Sequence, residues 1–160
     1  MRNPLLQALT VLLFSGGFAM TAFAAGDITQ QQPIELRIEL GTKNGEHIFV
    51  PNYLELETGK LYKLVLHNPD KEAHYFTSLG LANRVFTRKV QVMSGAEADR
   101  KPLSEIKGAV REVEIYPAGT TEWWFVPIQS GRVVDLQCGI KNKDGSTHAE
   151  HGMVGIIDIK

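Results

Sequence analysis

Hydrophobic and polar residues alternate with a period of two along most of the chain, which is typical of β-strands that bury one face. In segment 34–40, isoleucine and leucine occupy every second position and charged residues lie between them. Further extended segments, separated by turn residues, are predicted at 48–56, 61–67, 74–78, 85–93, 110–116, 122–126, 132–138 and about 152–159. Short strands at this regular spacing predict an all-β fold, a β-sandwich.

Two stretches interrupt the alternation. Pro51 falls inside segment 48–56 and indicates a bend or an edge strand, because proline has no amide hydrogen for a sheet ladder. Residues 94–108 contain helix formers interrupted by Pro102, so we expect a short helix or a structured insertion there. Trp123 and Trp124 are adjacent in a strand, and one side chain is therefore expected to face the core and the other to face outward.

The first 24 residues have the pattern of a signal peptide. Arg2 is followed by an apolar stretch from Leu5 to Met20, and Ala22-Phe23-Ala24 is a small-residue cleavage site. We expect cleavage before Ala25, a single domain over residues 25–160, no membrane span after cleavage, and a periplasmic location. The alternative is an uncleaved anchor that holds the same domain at the membrane.

Composition excludes several classes of protein. The chain has 160 residues with 17 Lys+Arg against 18 Asp+Glu, a net charge of −1, which argues against a nucleic-acid-binding domain. It contains one cysteine, so an internal disulfide and a zinc site with two thiolates are both excluded. In an oxidising compartment, the Cys138 thiol is then buried and inert, joined to another chain, or bound to a metal.

The residues around Cys138 favour the metal. Leu136 and Val134 lie two and four positions before Cys138 on one strand, and the three side chains are predicted to face inward. Met153 is in phase with three apolar or small positions of the last strand, so it is also predicted to face the core. With His74 and His148, these side chains supply one thiolate, two imidazoles and a thioether. That is the ligand set of a type 1 copper site.

The run from Leu61 through Asn68 to His74, the segment 123–127, and Cys138 followed by His148-x4-Met153 resemble the cupredoxin family of small blue copper proteins. The resemblance covers roughly residues 33–160 and implies a Greek-key β-sandwich with one copper ion near one end. It implies His74, Cys138 and His148 as copper ligands, Met153 as the weak axial ligand, and Asn68 as a polar residue that ties loops together near the site.

The sequence departs from the family pattern in two places. Nine residues separate Cys138 from His148, more than usual, and this loop is expected to affect the geometry of the site. The stretch 79–108 is also longer than in the smallest members. His151 is an alternative to His148, but it lies only two positions from Met153 and would crowd it. His47 and His67 have no partner pattern and are assigned no role.

The resemblance implies an electron carrier and not an enzyme. Its partners would be redox proteins such as a c-type cytochrome, an oxidase or a reductase, docking transiently near the ligand loop. Lys141 and Lys143 in that loop are expected to steer an acidic partner. The alternative function is copper storage, delivery or tolerance without electron transfer. A nucleophilic cysteine is not favoured, because no helix N-terminus or oxyanion-hole pattern surrounds Cys138.

Overall fold

The computed structural model of the protein describes residues 30–94 and 99–160; the predicted signal peptide lies outside them. It contains eleven strands and one short helix, in the order β1(Ile34–Leu40), β2(Phe49–Val50), β3(Tyr53–Leu56), β4(Tyr62–His67), β5(His74–Thr77), α1(Leu79–Ala82), β6(Val85–Ser94), β7(Lys101–Ile106), β8(Glu112–Ile115), β9(Thr120–Pro127), β10(Gly131–Gln137) and β11(Val154–Ile159). Among the described residues, no helix is long and apolar enough to cross a lipid bilayer.

The strands form two sheets, which confirms the predicted all-β sandwich. The first sheet has the order β2-β1-β4-β9-β6-β7 and the second has the order β3-β11-β10-β5-β8. Two pairs, β1 with β4 and β3 with β11, are parallel, and the other pairs are antiparallel. Pro51 separates β2 from β3, and these two short strands belong to different sheets. The predicted bend therefore carries the chain from one layer to the other.

Aromatic and aliphatic side chains fill the space between the sheets. Trp123, Phe125 and Phe76 are fully buried, and Trp123 contacts each of the two phenylalanines edge to face. The indole nitrogen of Trp123 donates a hydrogen bond to Thr87 Oγ1 at 3.0 Å, so the buried polar group is satisfied. The neighbouring Trp124 points to the outer face, where the Lys89 ammonium lies 4.6 Å from its ring. The two tryptophans thus face opposite sides, as predicted.

Of the short helix or structured insertion expected at residues 94–108, the described residues form a strand, β7, and no helix. β7 pairs with β6 at the edge of the first sheet, where Pro102 is tolerated because only one side of the strand needs hydrogen bonds. The helical turn, α1, lies earlier in the chain, where the Ser78 hydroxyl caps it by accepting from Leu81 N. Residues 95–98 fall outside the described ranges.

The prediction that Val134 faces inward is wrong. A register shift between Val133 and Leu136 interrupts the pairing of β10 with β11, and the extra residue turns Val134 outward. Val133, Leu136 and Cys138 are buried instead, while Val134 is 70% exposed. The same bulge brings the Asp135 carboxylate to α1, where it accepts from Ser78 Oγ and Gly80 N. After the bulge the alternation resumes in the phase that buries Cys138.

Candidate metal centre

Three of the predicted ligands meet at one end of the sandwich. His74 begins β5, Cys138 directly follows β10, and His148 lies in the turn before β11. One ligand atom from each of them lies within 4.8 Å of the other two, and all three residues are buried. His74 and Cys138 are fully buried and His148 is 1% exposed. The fold therefore brings together residues that are up to 74 positions apart in sequence.

The donor atoms face one another. His74 Nδ1 and His148 Nδ1 are 3.1 Å apart, and Cys138 Sγ lies 3.9 Å from the first and 3.5 Å from the second. Burial lowers the pKa of both histidines, that of His148 to about 4, so the imidazoles are neutral at pH 7 and keep a lone pair. Burial also raises the pKa of the Cys138 thiol, which a bound metal would reverse by favouring the thiolate. Two neutral imidazoles and one thiol in a dry site are a chemically suitable set for a transition-metal ion.

Met153 is fully buried next to this group in the chain fold. Its carbonyl accepts from Cys138 N at 3.1 Å, and its own amide donates to the His148 carbonyl at 3.0 Å. Its side chain is in phase with the buried Gly155, Ile157 and Ile159 of β11, as predicted. Backbone hydrogen bonds thus join Met153 to both Cys138 and His148. Its role as an axial ligand stays a prediction.

Asn68 joins two loops behind the site. It is fully buried, and its side-chain amide donates to the carbonyls of Glu72 and Ile115, each at 2.7 Å. Its side-chain oxygen accepts from Asp70 N, and its backbone is bonded to the turn at Ala118 and Gly119. This structural role is the one that the family resemblance implied.

In structure, the chain is similar to a multicopper oxidase from Campylobacter jejuni, a metallo-oxidase, with a TM-score of 0.56 and 12% identity, covering 81% of this chain and 31% of the oxidase. A copper-containing nitrite reductase from Thermus scotoductus gives a TM-score of 0.54 and 15% identity, again covering 81% of this chain and 31% of the other. The chain has the cupredoxin fold. No family model and no curated protein sequence matches it.

The chain is much shorter than these two copper enzymes, since it spans only 31% of either one. Dithionite-reduced auracyanin from the photosynthetic bacterium Roseiflexus castenholzii is nearer in length, with 79% of this chain and 96% of auracyanin covered, at 14% identity and a TM-score of 0.47.

The long loop after Cys138 closes on itself and brings His148 back beside Cys138. Lys141 and Thr147 form a β-bridge, and Asn142 N donates to the Ser146 carbonyl, so the added residues form a small projecting hairpin. At its base, His148 N donates to the Ile140 carbonyl and Ala149 N donates to the Cys138 carbonyl. These two bonds hold the end of the loop next to Cys138. The effect of the longer loop on the geometry of the site stays a prediction.

The remaining histidines are divided between the site and the rest of the surface. His151 is exposed and bonds Ser146 Oγ, whereas His148 is buried in the group, as the sequence favoured. His67 Nδ1 contacts the Gly119 carbonyl and Thr120 Oγ1. His47, which was assigned no role, stacks on His148 with ring centroids 3.7 Å apart.

Two carboxylates of the β4–β5 connection also reach the site, and sequence reasoning missed both. Asp70 Oδ2 accepts from His74 Nε2 at 3.0 Å, and Glu72 Oε2 lies 3.8 Å from His148 Nε2. The sequence carried one clue, since Asp70 and Glu72 lie within four positions of a predicted ligand. In an irregular loop that spacing does not fix a direction, so the contact could not be inferred.

Proposed function

We propose that this protein is an exported type 1 copper protein that carries single electrons between redox partners. The observation that carries the proposal is the mutual approach of His74 Nδ1, His148 Nδ1 and Cys138 Sγ in a buried pocket of a cupredoxin fold. His74, Cys138 and His148 would hold the ion, with Met153 as a weak additional ligand. Copper bound there supplies a one-electron couple between Cu(I) and Cu(II).

The surrounding residues are suited to hold the ligands still. Tyr75 N donates to Cys138 Sγ at 3.2 Å, which stabilises negative charge on the sulfur and fixes its direction. The backbone bonds between Cys138, Met153 and His148 hold the three residues in one hydrogen-bonded unit. Because burial excludes water and the donors are already in place, little rearrangement would accompany a change of charge at the site.

The electron-carrier proposal is preferred to an enzyme or a copper store. The similar oxidase and nitrite reductase are several times longer than the part that this chain matches. Oxidases and nitrite reductases of this kind need further histidine ligands for a second copper centre, and the five histidines here leave few to spare. Copper storage and tolerance proteins usually expose methionine-rich and histidine-rich stretches, whereas Met153 and His148 are both buried.

Export to the periplasm and docking to redox proteins belong to the same proposal. The predicted signal peptide supports export. The hairpin that carries Lys141 and Lys143 is exposed beside His148 and supports docking at this end of the molecule. A c-type cytochrome, an oxidase or a reductase is the class of partner that fits a single-electron carrier.

An optical and EPR titration of residues 25–160 with Cu²⁺ tests the proposal. We expect an intense visible thiolate-to-copper charge-transfer band that is absent from Cys138→Ser and from His148→Gln. The matched control His151→Gln should keep the band, because this exposed histidine lies outside the group. Copper binding without the band in the unaltered protein would contradict the electron-carrier proposal and favour storage or delivery.

A further inference from the structure

The outward nitrogen of His148 belongs to a second cluster of candidate ligands. We call His74, Cys138 and His148 the inner group. His148 also forms an outer group with His47 and Glu72, in which one ligand atom from each residue lies within 4.8 Å of the others. Glu72 Oε2 is 3.6 Å from His47 Nε2 and 3.8 Å from His148 Nε2. His148 is thus shared, with Nδ1 facing the inner group and Nε2 facing the outer one.

The hydrogen bonds of the inner group determine which nitrogen of His148 carries the lone pair. His74 donates its Nε2–H to the buried carboxylate of Asp70, so in neutral His74 the Nδ1 atom is an acceptor. His148 Nδ1 lies 3.1 Å from that acceptor and therefore carries the hydrogen of this contact. In neutral His148 the lone pair is then on Nε2, which faces Glu72. Before any metal enters the inner group, the outer group has a free imidazole nitrogen and a carboxylate directed at each other.

The outer group lies between solvent and the inner group. The inner ligands are buried, whereas the side chain of Glu72 is 64% exposed and that of His47 is 18% exposed. Glu72 and His148 line an open cleft together with Glu114, Asp144, Lys141 and Lys143, so the carboxylates of the cleft outnumber its ammonium groups three to two. Carboxylates in a cleft attract cations. Imidazole and carboxylate are ligands for divalent first-row metals. The rings of His47 and His148 are 20° from parallel, so His47 must tilt to share one ion, and its partial exposure leaves room for that.

We propose that His47, Glu72 and Nε2 of His148 form an outer capture site for a divalent cation, through which copper reaches the inner group. The inference rests on the proposed function for the identity of the ion, but the outer site itself is independent of it. When His148 Nδ1 binds an ion in the inner group, it loses its hydrogen to solvent and Nε2 takes one up. The Nε2–H then faces Glu72 as a donor, and the outer site loses a ligand. The outer site is therefore active only while the inner site is empty.

The first test is the rate at which the apoprotein acquires copper, followed by stopped-flow spectroscopy of the thiolate-to-copper band. With a capture step, the loading rate of the unaltered protein should saturate as Cu²⁺ increases. Glu72→Gln and His47→Gln should each slow loading at low copper about tenfold, and both variants should still load fully at saturating copper, because the three ligands of the inner group are retained. Glu114→Gln removes the same charge from the same cleft without touching the outer group, and it should stay within twofold of the unaltered protein. Equal slowing by Glu114→Gln would show a general electrostatic effect and overturn the proposal.

A second test uses zinc and does not depend on a copper band. In the Cys138→Ser, His74→Gln background, which leaves His148 as the last of the three residues of the inner group, Zn²⁺ binding is measured by isothermal titration calorimetry. Adding Glu72→Gln should weaken Zn²⁺ binding about tenfold, and adding Glu114→Gln should leave it unchanged. Equal Zn²⁺ affinities in all three proteins would overturn the outer site. A missing copper band in the unaltered protein would instead contradict the proposed function, while the zinc result would still decide on the outer site.

Discussion

Asp70 and His74 form a buried carboxylate–imidazole pair: His74 Nε2 donates to Asp70 Oδ2 at 3.0 Å, and both side chains are at most 3% exposed. The Asp70 carboxylate also accepts from Lys71 N, and these bonds hold its pKa below the usual value despite its burial. The pair fixes the tautomer of His74 and directs its Nδ1 at Cys138 and His148. A negatively charged carboxylate behind a ligand increases the basicity of the ligand.

Replacing Asp70 with asparagine should therefore weaken Cu(II) binding more than Cu(I) binding. The shape of the side chain is kept, but the negative charge that favours the more highly charged ion is lost. We expect the ratio of the Cu(II) affinity to the Cu(I) affinity to fall about tenfold, which raises the one-electron reduction potential by about 59 mV. Protein-film voltammetry measures the shift. Asp144→Asn is the control, because this exposed carboxylate lies in the hairpin and bonds Ser146. An unchanged potential in Asp70→Asn would show that the pair is only structural.

Met153→Leu should retain copper and raise the reduction potential. Leucine fills nearly the same buried volume, but it removes a weak thioether donor from the proposed axial position. Spectroscopic titration with Cu²⁺ checks retention, and voltammetry checks the potential. Complete loss of copper binding would contradict the axial assignment, because a weak ligand is not needed to hold the ion.

The sequence predicted the positions of site residues in strands better than those of site residues in loops. Met153 and Cys138 were placed by the alternation of β11 and by the end of β10, since a period of two decides which face a side chain occupies. Val134 was misplaced because a bulge has no signature in the alternation. Asp70 and His47 lie in connections whose paths are set by tertiary bonds, such as those of Asn68. Their contacts with the site therefore appear only in the folded structure.

Gly41→Ala should destabilise the protein and disturb the His74–Asp70 pair. Gly41 has φ of +75°, and a β-carbon there would lie 2.5 Å from His74 Nε2 and 2.8 Å from Asp70 Oδ2. Gly45 offers a matched control, because its φ is +82° but nothing lies within 4 Å of its β-carbon position. We expect Gly45→Ala to cost about 1 kcal/mol from backbone strain alone and Gly41→Ala to cost about 1–3 kcal/mol more. Equal losses of unfolding free energy for the two variants, measured by urea denaturation, would show that His74 and Asp70 move aside for the added methyl group at no energetic cost.

The stability of the apoprotein should fall as the pH is lowered from about 6.5 through about 4. The folded state lowers the pKa of His148 from 6.5 to about 4, mainly through burial, so between these values the unfolded chain binds more protons. The lowered pKa of His74 acts in the same direction. Urea denaturation at several pH values measures the slope. His148→Gln should reduce this slope, and the exposed-site variant His151→Gln should keep it. A slope that His148→Gln leaves unchanged would contradict the assignment to His148.

Removing the charges of Lys141 and Lys143 should reduce the salt dependence of electron transfer to an acidic redox partner. Both side chains are exposed in the hairpin beside His148, and exposed charges at the rim of a docking surface change mainly the association rate. Glu72, Glu114 and Asp144 line the same cleft, so the two lysines supply the positive charge within a mixed surface.

The measurement compares second-order rates at low and high ionic strength for the unaltered protein and for the double variant Lys141→Gln, Lys143→Gln. The double variant Lys60→Gln, Lys160→Gln is the charge-matched control. Lys60 lies just before the start of β4, and Thr58 N donates to the Lys160 carbonyl, so both lysines lie near the first residue of β4. The site lies at the other end of this strand, beyond His67. A shallower salt dependence in the hairpin variant alone indicates docking at the metal end. The same dependence in all three proteins would mean that the partner docks elsewhere, because a charge beyond a Debye length of about 10 Å from the interface is screened.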